Sequence, residues 1–198
     1  MRIFLLLDVS GSMEGAKIGA LNDAMSNIII SLQGYAYDKG ASIDMSVILF
    51  AREAKWMYDK PTPILDFAWK ELHANGMTSL GAACLLLSEA LEKENGESGE
   101  IVIVLVSDGC PTDDYEGSFA ILNQNKAFST SKKLAIALGE DADIPSLLKF
   151  TSSQENIYYV QTVDTLLDAL GNVVQNGIND LKSSRKIVVT NDDDDDWD

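Results

Sequence analysis

The sequence is poor in the residues that usually carry redox and hydrolytic chemistry. It has two cysteines, Cys84 and Cys110, in 198 residues. These are too few for a disulfide scaffold and predict a reducing, cytoplasmic compartment. The single histidine, His73, argues against most metal-hydrolase sites and against triads that use histidine as a base. We therefore expect neither a disulfide-rich secreted protein nor a histidine-dependent enzyme.

Positive charge is scarce as well. The chain has 15 lysines and arginines against 31 aspartates and glutamates, a formal net charge of -16. Most of the surface would repel a nucleic acid or an anionic membrane, so we expect neither as a partner. No apolar stretch approaches the ~18 residues of a membrane span. The first apolar run, Ile3 to Leu7, ends at Asp8, too early for a secretory signal.

The hydrophobic pattern predicts strands that alternate with helices. Short apolar runs at Ile3 to Leu7 and Ile101 to Ser107 are typical of strands buried on both faces of a parallel sheet. Further strands are predicted at Ile43–Phe50, Glu53–Tyr58, Lys133–Leu138 and Ile157–Gln161, and helices at Glu14–Gln33, from Thr78 or Ser79 to Glu92, at Gly117–Ser131, Ile144–Phe150 and Val163–Gln175. This alternation predicts a doubly wound, Rossmann-like α/β fold with a mostly parallel sheet and helices on both faces.

Oxygen-bearing side chains follow the two buried strands where each strand ends. Asp8, Ser10 and Ser12 follow the first strand, and Asp108 follows the central one. Thr78 precedes a predicted helix and can add a hydroxyl at the same sheet edge. These hard oxygen donors suit Mg²⁺, with Mn²⁺ as the alternative ion.

The charge of these donors predicts how such an ion would behave. Three of the five are neutral hydroxyls, so the ion keeps much of its positive charge if Asp8 and Asp108 act through water. It would then take an Asp or Glu carboxylate from a protein partner. We expect specificity from neighbouring loops, at Met13, Met77, Cys110, Asp113 and Asp114. Asp113 and Asp114 also fit the alternative of a turn and helix caps.

The five donors, in their order and strand context, resemble the metal-ion-dependent adhesion site of von Willebrand factor type A (vWA) domains. The resemblance depends on three motifs, which are Asp8-x-Ser10-x-Ser12, Thr78 within Gly76–Gly81, and Asp108 within Ser107–Gly109. The resemblance implies six strands with one antiparallel edge strand, and direct metal coordination by Ser10 and Ser12. It also implies state-dependent coordination by Thr78, with Asp8 and Asp108 acting through water. The implied function is non-catalytic, metal-dependent protein binding.

The resemblance also predicts how the chain is organised into a domain and an extension. It implies a vWA domain over residues 1–178 and a C-terminal extension over residues 179–198 that ends in a disordered polyaspartate tail. The segment Ser107–Asp114 is similar to the bacterial TerY-like branch, which implies a tellurium-resistance or stress-response system.

Two other functions are open to a sequence of this kind. An aspartate after the first strand is also typical of Mg²⁺-dependent, haloacid-dehalogenase-like phosphatases. Those enzymes need a second acid two residues later, where this chain has Ser10, whose hydroxyl is a poor general acid near neutral pH. We therefore predict that the protein is not an enzyme. A scaffold that does not use its site is the other alternative.

The polyaspartate segment has two interpretations. Residues Asp192–Asp198 contribute six carboxylates, and acidic runs are usually solvated tails. They are also a tethered supply of the ligand that an open Mg²⁺ site would take. The second interpretation predicts self-association, or occupation of the molecule's own metal site.

Overall fold

A computed structural model of the chain describes residues 1–93 and 100–160. The strands are β1 (Arg2–Asp8), β2 (Asp44–Phe50), β3 (Ala54–Trp56), β4 (Thr62–Pro63), β5 (Ile101–Ser107), β6 (Lys132–Leu138) and β7 (Ile157–Val160). The helices are α1 (Ala16–Lys39), α2 (Leu80–Glu92), α3 (Tyr115–Leu122), α4 (Lys126–Thr130) and α5 (Ile144–Thr151). None of the helices in these ranges combines the length and the apolar character needed to cross a membrane.

The sheet confirms the predicted doubly wound α/β fold. Its strand order is β3-β2-β1-β5-β6-β7, and every neighbouring pair is parallel except β2 and β3. The two-residue strand β4, which the sequence pattern did not predict, pairs antiparallel with β2. From β1 the chain proceeds first to β2 on one side and later to β5 on the other. This reversal creates a crevice at the carboxyl ends of β1 and β5, where ligands bind in folds of this kind.

Alternation along β1 separates two hydrophobic cores. Ile3, Leu5 and Leu7 face a core that includes the buried side of α1. Phe4 and Leu6 face a second core built with residues of α2, α3, α4 and α5. Because successive side chains of a strand point to opposite faces, burial on both faces requires the continuous apolar run seen in the sequence.

Two helical predictions need correction. Helix α1 does not stop at Gly34 but continues to Lys39, because Ala36 extends its buried face. It ends at Gly40, whose φ of 60° is left-handed and favours glycine. The helix predicted over Gly117–Ser131 is divided into α3 and α4, since the Asn125 side chain accepts hydrogen bonds from the first amides of α4. The predicted helix Val163–Gln175 and the extension 179–198 lie outside the described residues.

Candidate metal centre

The crevice between β1 and β5 brings together the predicted oxygen donors. Asp8 is the last residue of β1, and Asp108 follows the last residue of the neighbouring strand β5. Asp8, Ser10, Thr78 and Asp108 are buried, whereas Ser12 is exposed. The site therefore has a buried floor and an opening to solvent on the Ser12 side.

Hydrogen bonds join three of these side chains directly. The Ser10 and Ser12 Oγ atoms are 3.0 Å apart. The Ser12 hydroxyl in turn donates to Oδ1 of Asp108 over 2.7 Å. The side chains that follow β1 and β5 thus form one continuous polar cluster.

The Asp8 carboxylate accepts hydrogen bonds on both of its oxygens. Its Oδ1 accepts a hydrogen bond of 2.9 Å from the Ser10 backbone amide, and its Oδ2 accepts one of 2.6 Å from the Ser107 hydroxyl. Burial raises the pKa of the Asp8 carboxyl above its ordinary value. The hydrogen bonds from Ser10 and Ser107 oppose the rise, and the charge of Asp108 adds to it. A positive charge nearby would offset the cost of keeping this carboxylate ionised.

The loop that follows β1 is held against the loop that carries Thr78. The Gly11 amide donates to the Gly76 carbonyl over 2.9 Å. A Cβ atom at Gly11 would lie only 3.2 Å from that carbonyl oxygen, and Gly76 has a left-handed φ of 92°. Both positions therefore suit glycine, since a side chain would force the loops apart or strain the backbone.

Thr78 lies on the same side of the site as Ser12. A Cβ atom at Gly109 would be 3.5 Å from Ser12 Oγ and 3.7 Å from Thr78 Oγ1. The Thr78 amide donates to Thr112 Oγ1 over 3.1 Å, and the Thr112 amide donates to the Thr78 carbonyl over 2.8 Å. These paired bonds fix Thr78 against the loop that follows Asp108.

Lys17 is a charged neighbour of the site that the sequence analysis missed. Its ammonium donates a hydrogen bond to Oδ2 of the buried Asp108 and forms an ion pair with it. Lys17 is the second residue of α1, where the helix macrodipole disfavours a cation. The ion pair with Asp108 compensates for this unfavourable helix position.

The predicted partner-binding rim is only partly at the surface. Met77 is 54% exposed and Cys110 is also exposed. Met13, in contrast, is fully buried in the core on the α1 side of the sheet. Its prediction as a rim residue is wrong, because the short 3-10 helix Gly11–Met13 turns its side chain inward.

Asp113 and Asp114 are exposed, but their carboxylates bind helix N-termini. Asp113 accepts hydrogen bonds of 3.0 and 2.9 Å from the amides of Gly81 and Ala82 in α2. Asp114 accepts one of 3.0 Å from the Gly117 amide in α3. Each carboxylate satisfies amides that the helix itself leaves unbonded, the usual role of a cap.

The cluster has the chemistry expected of a site for a hard cation. The 3.0 Å separation of the Ser10 and Ser12 oxygens equals the spacing of about 3.0 Å between adjacent ligands in an octahedron with bonds of about 2.1 Å. Across residues 1–93 and 100–160, no group of three or more His, Cys, Asp or Glu side chains could hold a metal ion. The Ser10–Ser12–Asp108 cluster differs from such a group because two of its three oxygen donors are hydroxyls.

The fold is similar to that of several solved structures. A von Willebrand factor type A protein from Catenulispora acidiphila superposes with a TM-score of 0.71 at 17% identity, over 89% of this chain and 42% of that one. The pilus adhesin SpaC from Lactobacillus rhamnosus GG superposes with a TM-score of 0.73 at 14% identity, over 91% of this chain and 31% of the adhesin. Proximal thread matrix protein 1 from the mussel byssus, with a zinc-occupied adhesion-site motif, superposes with a TM-score of 0.64 at 19% identity. The superposition covers 88% of this chain and 45% of the mussel protein.

The present chain spans less than half the length of each of these three proteins. No curated protein matches it by sequence. The sequence profile described as von Willebrand factor type A domain matches residues 3–176, which include both strand ends of the site. The chain therefore belongs to the von Willebrand factor type A domain family.

Proposed function

We propose that this protein is a metal-dependent protein-binding module. Domains of its family are known for adhesion and protein interaction, and some bind a divalent metal at the adhesion site. In our proposal one Mg²⁺, or alternatively Mn²⁺, is held by Asp8, Ser10, Ser12, Thr78 and Asp108. The observation that carries the proposal is the chain of hydrogen bonds at an open sheet edge, in which the Ser10 and Ser12 hydroxyls bond to each other and the Ser12 hydroxyl donates to Asp108.

The donor chemistry supports a partner that supplies an Asp or Glu carboxylate. Both oxygens of Asp8 and both oxygens of Asp108 already accept hydrogen bonds from the protein. In our proposal the two aspartates therefore act on the ion through water, and the hydroxyls bind it directly. Hydroxyl ligands leave most of the ion's charge uncompensated. An incoming carboxylate would supply the missing negative charge from the solvent side, where Ser12 is exposed.

The chemistry of the donors also supports the choice of ion. The similar mussel byssus protein carries zinc at its adhesion-site motif. The cluster in the present chain contains only oxygen donors, whereas zinc sites in proteins are commonly built with nitrogen and sulfur ligands. Magnesium and manganese are accordingly the ions that we propose for it.

The position of Asp8 argues against the phosphatase alternative. A nucleophilic carboxylate must reach the substrate, but Asp8 is 0% exposed and both of its oxygens are hydrogen-bonded. Ser10 occupies the position where a general acid would be needed, and a hydroxyl titrates too far from neutral pH for that role. We therefore propose a non-catalytic function.

Isothermal titration calorimetry with Mg²⁺ and Mn²⁺ tests the metal site. We expect one ion per chain for the wild type, and no measurable binding for Ser10→Ala and Asp108→Ala. Asp59→Ala is the matched control. It removes the same charge from an exposed residue that lines a groove with Arg2, at the beginning of β1. Binding by Asp108→Ala equal to that of wild type would rule out the assignment.

Affinity purification tests the partner. Bait proteins would be wild type, Asp108→Ala and Asp59→Ala, each in Mg²⁺ and in EDTA. A partner of the metal site is retained by wild type and Asp59→Ala in Mg²⁺, and lost in EDTA and with Asp108→Ala. Cross-links from such a partner should map near Met77 and Cys110, the exposed residues of the rim. Cross-links to the opposite end of the sheet would contradict the proposal.

The biological setting is a further part of the proposal. The similarity of Ser107–Asp114 to the TerY-like branch supports a cytoplasmic role in a bacterial tellurium-resistance or stress-response system. A strain that lacks the gene should be sensitive to tellurite, and wild type but not Asp108→Ala should restore its resistance.

The polyaspartate segment supports self-association through the metal site. Truncation after Thr190 should then raise partner affinity at fixed Mg²⁺ and ionic strength.

A further inference from the structure

The structure pairs Asp108 with a positive charge supplied by the chain itself. The Lys17 ammonium donates to Oδ2 of Asp108, while the Ser12 hydroxyl donates to Oδ1. The Asp108 side chain is fully buried, whereas the Lys17 side chain is 35% exposed. One end of this ion pair is therefore fixed in the floor of the site, and the other end has access to solvent.

The backbone beyond β6 leaves room for this lysine. Gly139 has a left-handed φ of 82°, and a Cβ atom there would lie 3.3 Å from Lys17 Cε and 3.5 Å from Nζ. The Gly139 amide donates to the Val160 carbonyl in β7 over 2.8 Å. The end of the lysine side chain thus lies against a backbone segment that is held in place and carries no side chain of its own.

From these contacts we infer that Lys17 is an internal counter-ion that competes with the metal. The inference rests on the proposed function. In the absence of a divalent ion, the ammonium neutralises Asp108. When the ion binds, it attracts the same carboxylate, and Lys17 moves outward to solvent. The lysine stabilises the metal-free protein and weakens metal binding, so the site fills only at higher metal concentrations.

Electrostatics gives the direction of this competition. Asp108 in the floor interacts strongly with whichever cation lies beside it, because screening by water is weaker at a buried carboxylate. A bound divalent ion would repel an ammonium held at the same carboxylate. The four-carbon stem of lysine lets the ammonium leave without moving the backbone of α1.

Calorimetry on variants of Lys17 measures the effect. We expect Lys17→Met to bind Mg²⁺ about tenfold more tightly than wild type, the range typical of a coupling between two sites. Lys17→Arg keeps the charge and should bind Mg²⁺ as weakly as wild type or more weakly. The matched control is Lys39→Met, which removes the same charge from the exposed last residue of the same helix. It should stay within about twofold of wild type, because Lys39 is beyond the screening length.

A second readout separates competition from a purely structural role. In EDTA, Lys17→Met should unfold at a lower urea concentration than wild type, since Asp108 then lacks its counter-ion. In Mg²⁺ the order should reverse or the gap should close. If Lys17→Met does not fold, Lys17→Gln carries the same test with a neutral side chain that can still donate a hydrogen bond.

The possible outcomes distinguish this inference from the proposed function. If wild type and Lys17→Met both fail to bind Mg²⁺ and Mn²⁺, the metal site itself is wrong, and this inference fails with it. If wild type binds and Lys17→Met binds equally or more weakly, the internal counter-ion is overturned while the metal site stands. Tighter binding by Lys17→Met and also by Lys39→Met would assign the effect to net charge and overturn the specific role of Lys17.

Discussion

The two strand ends that form the site hold their carboxylates in different ways. At the end of β1, Asp8 accepts hydrogen bonds from the Ser10 amide and the Ser107 hydroxyl, both neutral and both buried. At the end of β5, Asp108 accepts hydrogen bonds from Ser12, which is exposed, and from the partly exposed ammonium of Lys17. One carboxylate is enclosed by the protein interior, and the other faces groups that can reach water.

This difference is one of charge. Asp8 is oriented by the nearby Ser10 amide and by the Ser107 hydroxyl, and neither donor carries a charge that a metal ion would repel. Lys17, in contrast, brings a positive charge to Asp108, and we infer above that a metal ion would displace it. The comparison therefore separates a carboxylate held by neutral donors, Asp8, from one held by a cation, Asp108, and we infer that a bound metal ion would affect the contacts of Asp108 first.

The largest expected effect is on stability, and it separates the two carboxylates. We expect Asp8→Ala to lower the free energy of unfolding by about 2–4 kcal/mol, because two buried donors lose their acceptor. Asp108→Ala should cost less, about 1–2 kcal/mol, since Ser12 and Lys17 can turn to solvent. Urea denaturation in EDTA measures both, with Asp59→Ala as the control for loss of an exposed carboxylate. An equal or larger loss for Asp108→Ala would break the distinction between the two sides.

A second prediction concerns the contact between α2 and the loop that follows β5. A Cβ atom at Gly81 would lie 2.8 Å from the Asp114 carbonyl oxygen and 3.0 Å from Ser118 Oγ. Gly81→Ala should therefore destabilise the protein by about 1–3 kcal/mol, as overpacking does. It should also weaken Mg²⁺ binding, because the displaced loop carries Asp108.

The matched control for Gly81→Ala is Gly34→Ala in the interior of α1. Apart from the adjacent residues and the backbone of the helix itself, no atom lies within 4 Å of a Cβ atom placed at Gly34. This substitution should stabilise the protein by about 0.5–1 kcal/mol through higher helix propensity. Calorimetric metal binding should be unchanged. If both alanine variants behave alike, the close contact at Gly81 does not position the β5 side of the site.

The sequence was sufficient to predict the floor of the site because each donor is tied to a local pattern. An apolar run followed by Asp8-x-Ser10-x-Ser12 predicts both the strand and the place where it ends. The neighbouring strand shows the same order with Ser107 and Asp108. In a doubly wound sheet these two ends meet at the crevice. Pattern and fold class together were therefore enough to place these donors near one another.

The parts that sequence analysis missed depend on contacts between distant elements. The partner of Lys17 is set by the place of the first turn of α1 beside Asp108, which no periodicity describes. Met13 was predicted at the rim because it follows the ligand loop, but a 3-10 turn places it in the core. Ser79 has the position of an N-cap, yet its hydroxyl donates to the Arg52 carbonyl over 3.0 Å, and Asp113 binds the α2 amides. In each case the local sequence allows several partners for the side chain, and tertiary packing determines which one it contacts.

The smallest expected effect tests whether the acidic residues after β5 belong to the rim or to the helices. Asp113→Ala removes the acceptor for the Gly81 and Ala82 amides and should lower the free energy of unfolding by about 1 kcal/mol. Asp114→Ala removes the acceptor for one amide of α3 and should cost less. Thermal or urea denaturation in EDTA measures both losses. In Mg²⁺, partner affinity should change little for either variant, because the carboxylates face helix amides. If instead stability is unchanged and partner affinity falls, Asp113 acts as a rim residue, and the β5 side of the site extends further along its loop than the hydrogen bonds indicate.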